Sequence, residues 1–537
     1  MNREKIMNLI GLTLLAVCFI IALMRVFSRT ATHLGSDIVT IRFAHYQLES
    51  GVRGAFDAIA REYEKIHPGV IVEQMPIPEN VYPTWTVTQL AGGTAPDLIE
   101  FGNSTGTDER LARYFQPLTE WVGSPNPYNK GTPLEKTPWR QTFLDGLTGW
   151  PNYNPNLLEI YGIPNTVVTI RIFYNRDLYR KIIGNETLPR TYQEFIEVCR
   201  KVEQDGEQIT GHKIVPIAGS KSNAPRITES LFSGQVQKLW AQYQGDDLRE
   251  PNGNEAVLRF AVLKHKLSLY DPAIQSAYQI MHDAGQYMQP GFMQLSREDA
   301  VFTFTQGNAL MIATGSYDTV SLTSQAPFEI GVFPVPYPTK DDPTYGRFVF
   351  GPATEAGAPT QGSFLLYMES KHKQQALDFL RFMTSQKMNA LFAAKSGWLP
   401  AVIGVDVDEK MKPFMPVMDG YINGFRPFWG ADTYGVIDSN QYLLLGSDGS
   451  VKKFLDALSR DFDGALVSDS QSANKTSRNN LMRQDVALAS YMQLSRQGTV
   501  PAVEKKVSEL NEIETKMETD LDDGILEMNE LGFPPMK

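Results

Sequence analysis

Cysteine is nearly absent from this chain. Cys18 and Cys199 are the only two among 537 residues, so no intrachain disulfide framework exists, and a chain of this length buries enough core to fold without one. Histidine is also scarce. The seven residues, at positions 33, 45, 67, 212, 265, 282 and 372, form no HExxH pair, and no Cys/His spacing suits zinc. There is no G-x-x-x-x-G-K-[ST] phosphate loop and no G-x-S-x-G nucleophile elbow, and no motif asks for a cofactor. Basic residues do not cluster: 50 Lys and Arg stand against 61 Asp and Glu, a net charge of −11. A phosphate-tracking face is therefore missing, which argues against nucleic acid. The remaining composition, 42% hydrophobic and 21% charged, lies in the ordinary globular range and excludes a disordered or collagen-like chain.

One long apolar run is present. Arg3 and Lys5 precede Ile6 to Met24, which carry no charge; nineteen residues of helix span roughly 28 Å, about the thickness of bilayer hydrocarbon. A cleaved signal peptide is the rival reading, but its apolar region is shorter and ends in a small-residue cleavage site, and Arg25 and Arg29 follow this run instead. Leu15-Ala16-Val17-Cys18 resembles a lipobox with a bulky Val17 where a small residue is expected. A retained transmembrane anchor over 6–24 is the expectation, with cleavage and lipidation as alternatives. The charges on its two sides nearly balance, so they do not fix its orientation.

Beyond it the pattern is α/β. Val39–Ala44 alternates as a strand; Val52, Phe56, Ile59, Tyr63 and Ile66 recur at helical spacing; Val70–Met75 resumes as a strand. A crossover of that length joins parallel strands. Thr84–Ala91 predicts a helix ended by Gly92-Gly93, and Asp97–Phe101 a short strand. Residues 117–156, rich in Pro, Gly, Asn and Trp, read as an irregular excursion, and Tyr161–Tyr174 as one long extended segment. Thr191 and Glu194 make a capping box before a helix whose buried stripe is Phe195, Val198, Cys199 and Val202. Residues 226–300 read as largely helical, Asn308–Ala313 as a strand and Gln375–Ala394 as a helix. In the last hundred residues Val503, Val507, Leu510, Ile513, Met517 and Leu521 form a stripe, with Glu512 and Lys516 as an i,i+4 pair. At under three heptads the stripe predicts packing on its own domain rather than a coiled coil.

Five stretches, in order, resemble the family 1 extracellular solute-binding proteins of ABC importers, the maltose-binding-protein-like group. They are Ile41–Gln47 with the following Tyr63–Glu73; Leu90–Ile99; Tyr161–Pro164 with Phe173–Leu178; Gly307–Tyr317; and Ser396–Ala401. The resemblance covers roughly residues 38–430. It implies a two-lobed periplasmic-binding-protein fold (type II-like) with an interlobe hinge, exported to the extracytoplasmic face of a bacterial inner membrane. The expected division is 1–35 anchor and linker, 36–170 and 318–385 first lobe, 171–317 and 386–537 second lobe with an extended helical tail. The implied partners are a carbohydrate ligand and ABC permease subunits, with the membrane reached through the N-terminal helix.

Sugars need aromatic faces for their C–H surfaces and polar side chains for their hydroxyls. The resemblance places Tyr46, Gln47 and Glu49 on the loop after the first strand and Asn103 after the Asp97–Phe101 strand, both at strand C-terminal ends where open α/β sheets bind ligands. Tyr317 stands where relatives place a stacking tryptophan. Trp398 and Trp429 come from late loops that border the cleft in relatives, Arg426 is a candidate to hold a hydroxyl or carboxylate there, and Trp85 is a further stacking candidate. A glycosidase-like carboxylate pair is defined by spatial separation rather than by spacing in the chain, so an exported polysaccharide-acting enzyme is the alternative function, and a sensory module a third. The 117–156 excursion and the tail beyond about 440 exceed the family pattern.

Overall fold

The computed structural model describes residues 38–102, 105–154, 157–243, 255–356, 360–427, 429–497 and 501–533. The expected anchor at 6–24, its Cys18 and the site candidate Asn103 lie outside the described residues. Among the described residues no helix is long and apolar enough to cross a membrane.

Two sheets organise the chain. The first contains β1 (Val39–His45), β2 (Val70–Pro76), β3 (Leu98–Glu100) and β4 (Gly162–Val167). The second contains β5 (Ile170–Asn175), β6 (Val215–Ala218), β7 (Ala309–Gly315) and β8 (Ile330–Phe333). β9 (Thr360–Leu366) and β10 (Leu399–Pro400) then return to the first. The strand orders are β10-β4-β9-β3-β1-β2 and β8-β5-β7-β6. β1 pairs parallel with β2 and β3, as the β-helix-β spacing predicts. β9 runs antiparallel between β3 and β4.

The helices used below are α1 (Ser50–Ile66), α2 (Asp108–Tyr114), α3 (Tyr192–Thr210), α4 (Gln386–Ser396), α5 (Ala431–Asn440), α6 (Val451–Gln497) and α7 (Pro501–Glu530). α1 buries Val52, Phe56, Ile59 and Tyr63 against Phe43, Phe364 and Phe379 of the first lobe, while its last turn leaves Ile66 55% exposed. The chain then reverses through Gly69, whose φ of +92° suits glycine. Both reciprocal hydrogen bonds of the Thr191–Glu194 capping box form at the start of α3, and Phe195, Val198, Cys199 and Val202 enter the second core beside Ile172, Ile217 and Phe232.

Several expectations are corrected. The extended run 161–174 is two strands in different sheets, β4 and β5, separated at Val168-Thr169. Residues 375–394 are two helices, because Ser385 stops the first and caps α4 by accepting from the Met388 amide. The chain does not return to the first lobe at 318: β8 hydrogen-bonds along β5 in the second sheet. Nor does it leave at 386, since α4 packs on α1 and β10 pairs with β4. Lys516 pairs with Asp520 at 2.5 Å, its i+4 neighbour, rather than with Glu512.

Three segments therefore cross between the lobes: 168–169, the stretch between β8 and β9, and the stretch after β10. Arg171, fully buried, ties all three. Its Nη1 and Nη2 donate to Glu355 Oε1 and Oε2 at 2.7 and 3.0 Å. The same guanidinium donates to the carbonyls of Ile170 (2.6 Å), Pro413 (2.9 Å), Phe414 (3.2 Å) and Met415 (2.7 Å). Glu355 in turn accepts from the Val417 amide at 2.7 Å. The planar fork of arginine suits this task, because it meets a carboxylate bidentately while its remaining N–H groups reach backbone oxygens.

Candidate functional site

A cavity of about 1630 Å³ opens between the lobes. The crossing segments contribute Val168, Thr169, Glu355, Pro413 and Val417; the first lobe contributes Trp150 and Gln361. The second lobe faces them with Arg190, Glu229, Ser230, Phe333, Tyr337, Asn423, Arg426 and Tyr434. Gln361 is the second residue of β9 and Phe333 the last of β8, so the strand ends place both on the cavity. Trp150 is 52% exposed, and its ring meets Phe101 edge-on at 4.7 Å, which braces one side while leaving surface free. Tyr434, 42% exposed, presents a second aromatic side chain from α5. Burial raises the Glu229 carboxyl above its usual range, and Arg426 and Arg226 work against that shift. The walls thus combine aromatic surface with carboxylate, guanidinium, amide and hydroxyl groups, the mixture that a polar ligand with apolar faces requires.

The family model described as bacterial extracellular solute-binding protein matches residues 49–390, more than half of the chain. The chain belongs to this family. A Brucella abortus (strain 2308) chain named as a binding protein is 24% identical over 365 residues, covering 67% of this solute-binding protein and 75% of the relative. An Escherichia coli (strain K12) chain named as an ABC transporter periplasmic-binding protein, YcjN, is 27% identical over 209 residues, 38% of this chain and 44% of the relative. Among solved structures, RafE in complex with raffinose aligns with TM-score 0.52 at 16% identity, over 80% of this chain and 100% of that one. The GacH receptor of Streptomyces glaucescens aligns with TM-score 0.55 at 19% identity, over 80% and 98%. These likenesses establish the shared two-lobed α/β fold.

The sequence-derived candidates of this solute-binding protein occupy different places. Arg426 lines the interlobe cavity. Tyr46 and Gln47 follow β1 and converge on Glu100: the Tyr46 amide donates to Oε2 at 3.0 Å and Gln47 Nε2 to Oε1 at 2.8 Å. Glu49 is exposed at the N-cap of α1, without a side-chain capping bond. Trp85 stacks at 6.0 Å on Tyr82, whose hydroxyl donates to the Glu100 carbonyl at 2.7 Å. Tyr317 folds over Gly315, where a Cβ would collide with its ring, and packs at the edge of the first core. Trp398 and Trp429 are core residues, 7% and 3% exposed, set against Phe392 and against Phe425 and Phe462 respectively. The resemblance offered both indoles as stacking faces on late loops; here phenylalanines enclose them.

Two residues escaped the sequence reading. Trp150 sits in the excursion, where Gly149-Trp150-Pro151 offered a loop tryptophan as a signal. Glu100 is an acid inside the apolar run Leu98-Ile99-Glu100-Phe101. It is 1% exposed, and burial pushes its carboxyl up to about 7 against the two hydrogen bonds that favour the carboxylate.

Proposed function

We propose that this solute-binding protein captures a mono- or oligosaccharide between its lobes and delivers it to the permease of an ABC importer on the extracytoplasmic face of a bacterial membrane. The observation that carries the reading is the cavity of about 1630 Å³, in which Trp150 and Tyr434 offer aromatic surface beside Glu229, Arg426, Gln361 and Asn423. Ligand touching both walls favours the closed arrangement, so binding and hinge closure are one equilibrium. The printed descriptions of structural neighbours support the ligand class: raffinose with RafE, acarbose with GacH, and maltotetraose with a cyclo/maltodextrin-binding protein. The name of the E. coli relative supports the transport role. In this reading Arg426 and Glu229 hold hydroxyls while Trp150 stacks on a pyranose face. Tyr46, Gln47, Glu49, Trp85, Asn103 and Tyr317 are the further ligand-contact candidates of this reading. Residues 6–24 tether the protein to the membrane.

The test uses residues 38–537 with raffinose, maltotetraose, xylo-oligosaccharides and chitin oligosaccharides in calorimetry and small-angle scattering. Binding heat for at least one sugar, accompanied by a smaller radius of gyration, is expected. A panel that gives neither heat nor compaction overturns sugar specificity. The oligosaccharides are expected to be recovered intact; catalytic appearance of shorter products would instead make the protein an enzyme.

A further inference from the structure

The tail beyond about 440, one of the two stretches that make this chain exceed the family pattern, reaches across to the first lobe and lands beside the end of the other. α6 begins deep in the second lobe, where Phe454, Leu455, Leu458, Phe462 and Leu466 are core residues. It then continues outward, and α7 returns antiparallel beside it: Gly524 of α7 approaches Asn474 of α6 so closely that a Cβ would collide. The far end of α7 is fastened back to the second lobe through Lys264, which pairs with Glu527 and with Glu530 at 3.0 Å. Thirty residues of each helix make an arm about 45 Å long.

The other end of this arm reaches the first lobe. Leu488, Leu510 and Ile513 form a small apolar cluster that packs on Leu158. Lys506 Nζ meets Glu159 Oε1 at 2.5 Å, half-buried, and Arg483 Nη1 meets Glu109 Oε2 of α2 at 2.9 Å. Leu158 and Glu159 directly follow the excursion and are tied to its last residues: Glu159-Ile160 pairs with Tyr153-Asn154, and Ile160 is buried in the first core. A stiff helical pair rooted in one lobe and seated on the other lies across any rotation about the three crossings.

We propose that the α6–α7 hairpin is an interlobe strap, latched at Leu158, Glu159 and Glu109, which restrains opening of the hinge and so sets how fast the cleft exchanges its ligand. The inference depends on the placement of the lobes and holds whatever the cleft binds. The latch is suited to reversible release. The Arg483–Glu109 pair is exposed, and such a pair shifts an equilibrium only a few-fold and weakens with salt; Lys506–Glu159 is more enclosed but single, and the apolar cluster is too small to hold the lobes permanently.

The test measures lobe separation without ligand. Spin labels go on Lys130→Cys in the first lobe and Gln208→Cys in the second, both exposed positions, while the native Cys199 is fully buried. Pulsed dipolar spectroscopy then compares the labelled 38–537 chain with Arg483→Glu/Lys506→Glu and with the charge-swapped chain that adds Glu109→Lys/Glu159→Lys. Charge reversal is expected to enlarge the long-distance population about fivefold, and the swap to restore the original distribution. In the chain with only the labels, raising NaCl from 50 mM to 1 M is expected to enlarge the same population. A distribution that stays fixed under both charge reversal and salt overturns the strap. So does a reversal that lowers the melting temperature without moving the distances, because that marks a merely structural contact.

Discussion

Removing the guanidinium of Arg171 should unfasten the hinge. In Arg171→Met, Glu355 keeps the Val417 amide but loses both charge-assisted bonds, and the carbonyls of Ile170, Pro413, Phe414 and Met415 lose their shared donor. Breaking a buried pair by deleting one partner costs about 3–5 kcal/mol. The Glu355 side chain is 28% exposed, so water recovers part of its solvation, and the lower end, about 3 kcal/mol, applies. Glu355→Gln is milder: the guanidinium keeps its four carbonyls and one amide oxygen, for a cost of about 1–2 kcal/mol. Urea unfolding of residues 38–537 followed by circular dichroism measures both. In the double variant Arg171→Met/Glu355→Gln the cost should be less than the sum of the two single costs, since the two side chains form one network. Scattering should show a larger radius of gyration for Arg171→Met. An Arg171→Met cost below about 1 kcal/mol, or below that of Glu355→Gln, would refute the assignment of this residue as the tie between the crossings.

Glu100 gives a pH signature. Its folded value of about 7 exceeds the usual 4.5, so the stability it contributes as a neutral acid is complete below pH 4.5 and is lost as pH rises through 7. Glu100→Gln, with Gln47 turning its amide to match, should gain on the parent chain by up to about 3 kcal/mol between pH 5 and pH 8; parallel stability curves would count against this. Asp469 of α6 accepts from the amides of Asp432 and Thr433, both at 2.9 Å, and from the Thr433 hydroxyl at 2.8 Å, capping α5 from the tail. Asp469→Ala should therefore destabilise by about 2 kcal/mol in urea unfolding. Trp150→Ala should leave the melting temperature within about 2 °C, because half the ring is exposed, yet weaken sugar binding about tenfold by calorimetry.

Local structure was legible where a single physical signal decides it. The first strand–helix–strand unit follows from two periodicities, and the start of α3 follows from the reciprocal Thr191–Glu194 bonds. Where tertiary pairing decides, the pattern is silent. Val167 to Ile170 stays extended on both sides of Val168-Thr169, so alternation cannot show that the strands enter different sheets. The tail's stripe predicted packing on its own domain, but not that Phe454 and Phe462 complete the second core or that Asp469 caps the start of α5. At the site, composition pointed to aromatic and polar residues but not to which were already enclosed. Arg426 lines the cavity, whereas the rings of Trp398 and Trp429 are enclosed by Phe392 and by Phe425 and Phe462, a burial that composition does not show. The contribution of Trp150 depends on Phe101 standing behind it, a contact 49 residues away in the chain that no local pattern encodes.

The most direct test of the interlobe clamp is native mass spectrometry of residues 38–537 titrated with the oligosaccharide panel, in parallel with the Arg426→Ala/Trp150→Ala variant. One sugar per chain, lost in the variant while its charge-state distribution stays that of a folded protein, is the predicted result. Stoichiometric sugar binding that survives both substitutions unchanged would contradict the placement of the ligand in this cleft.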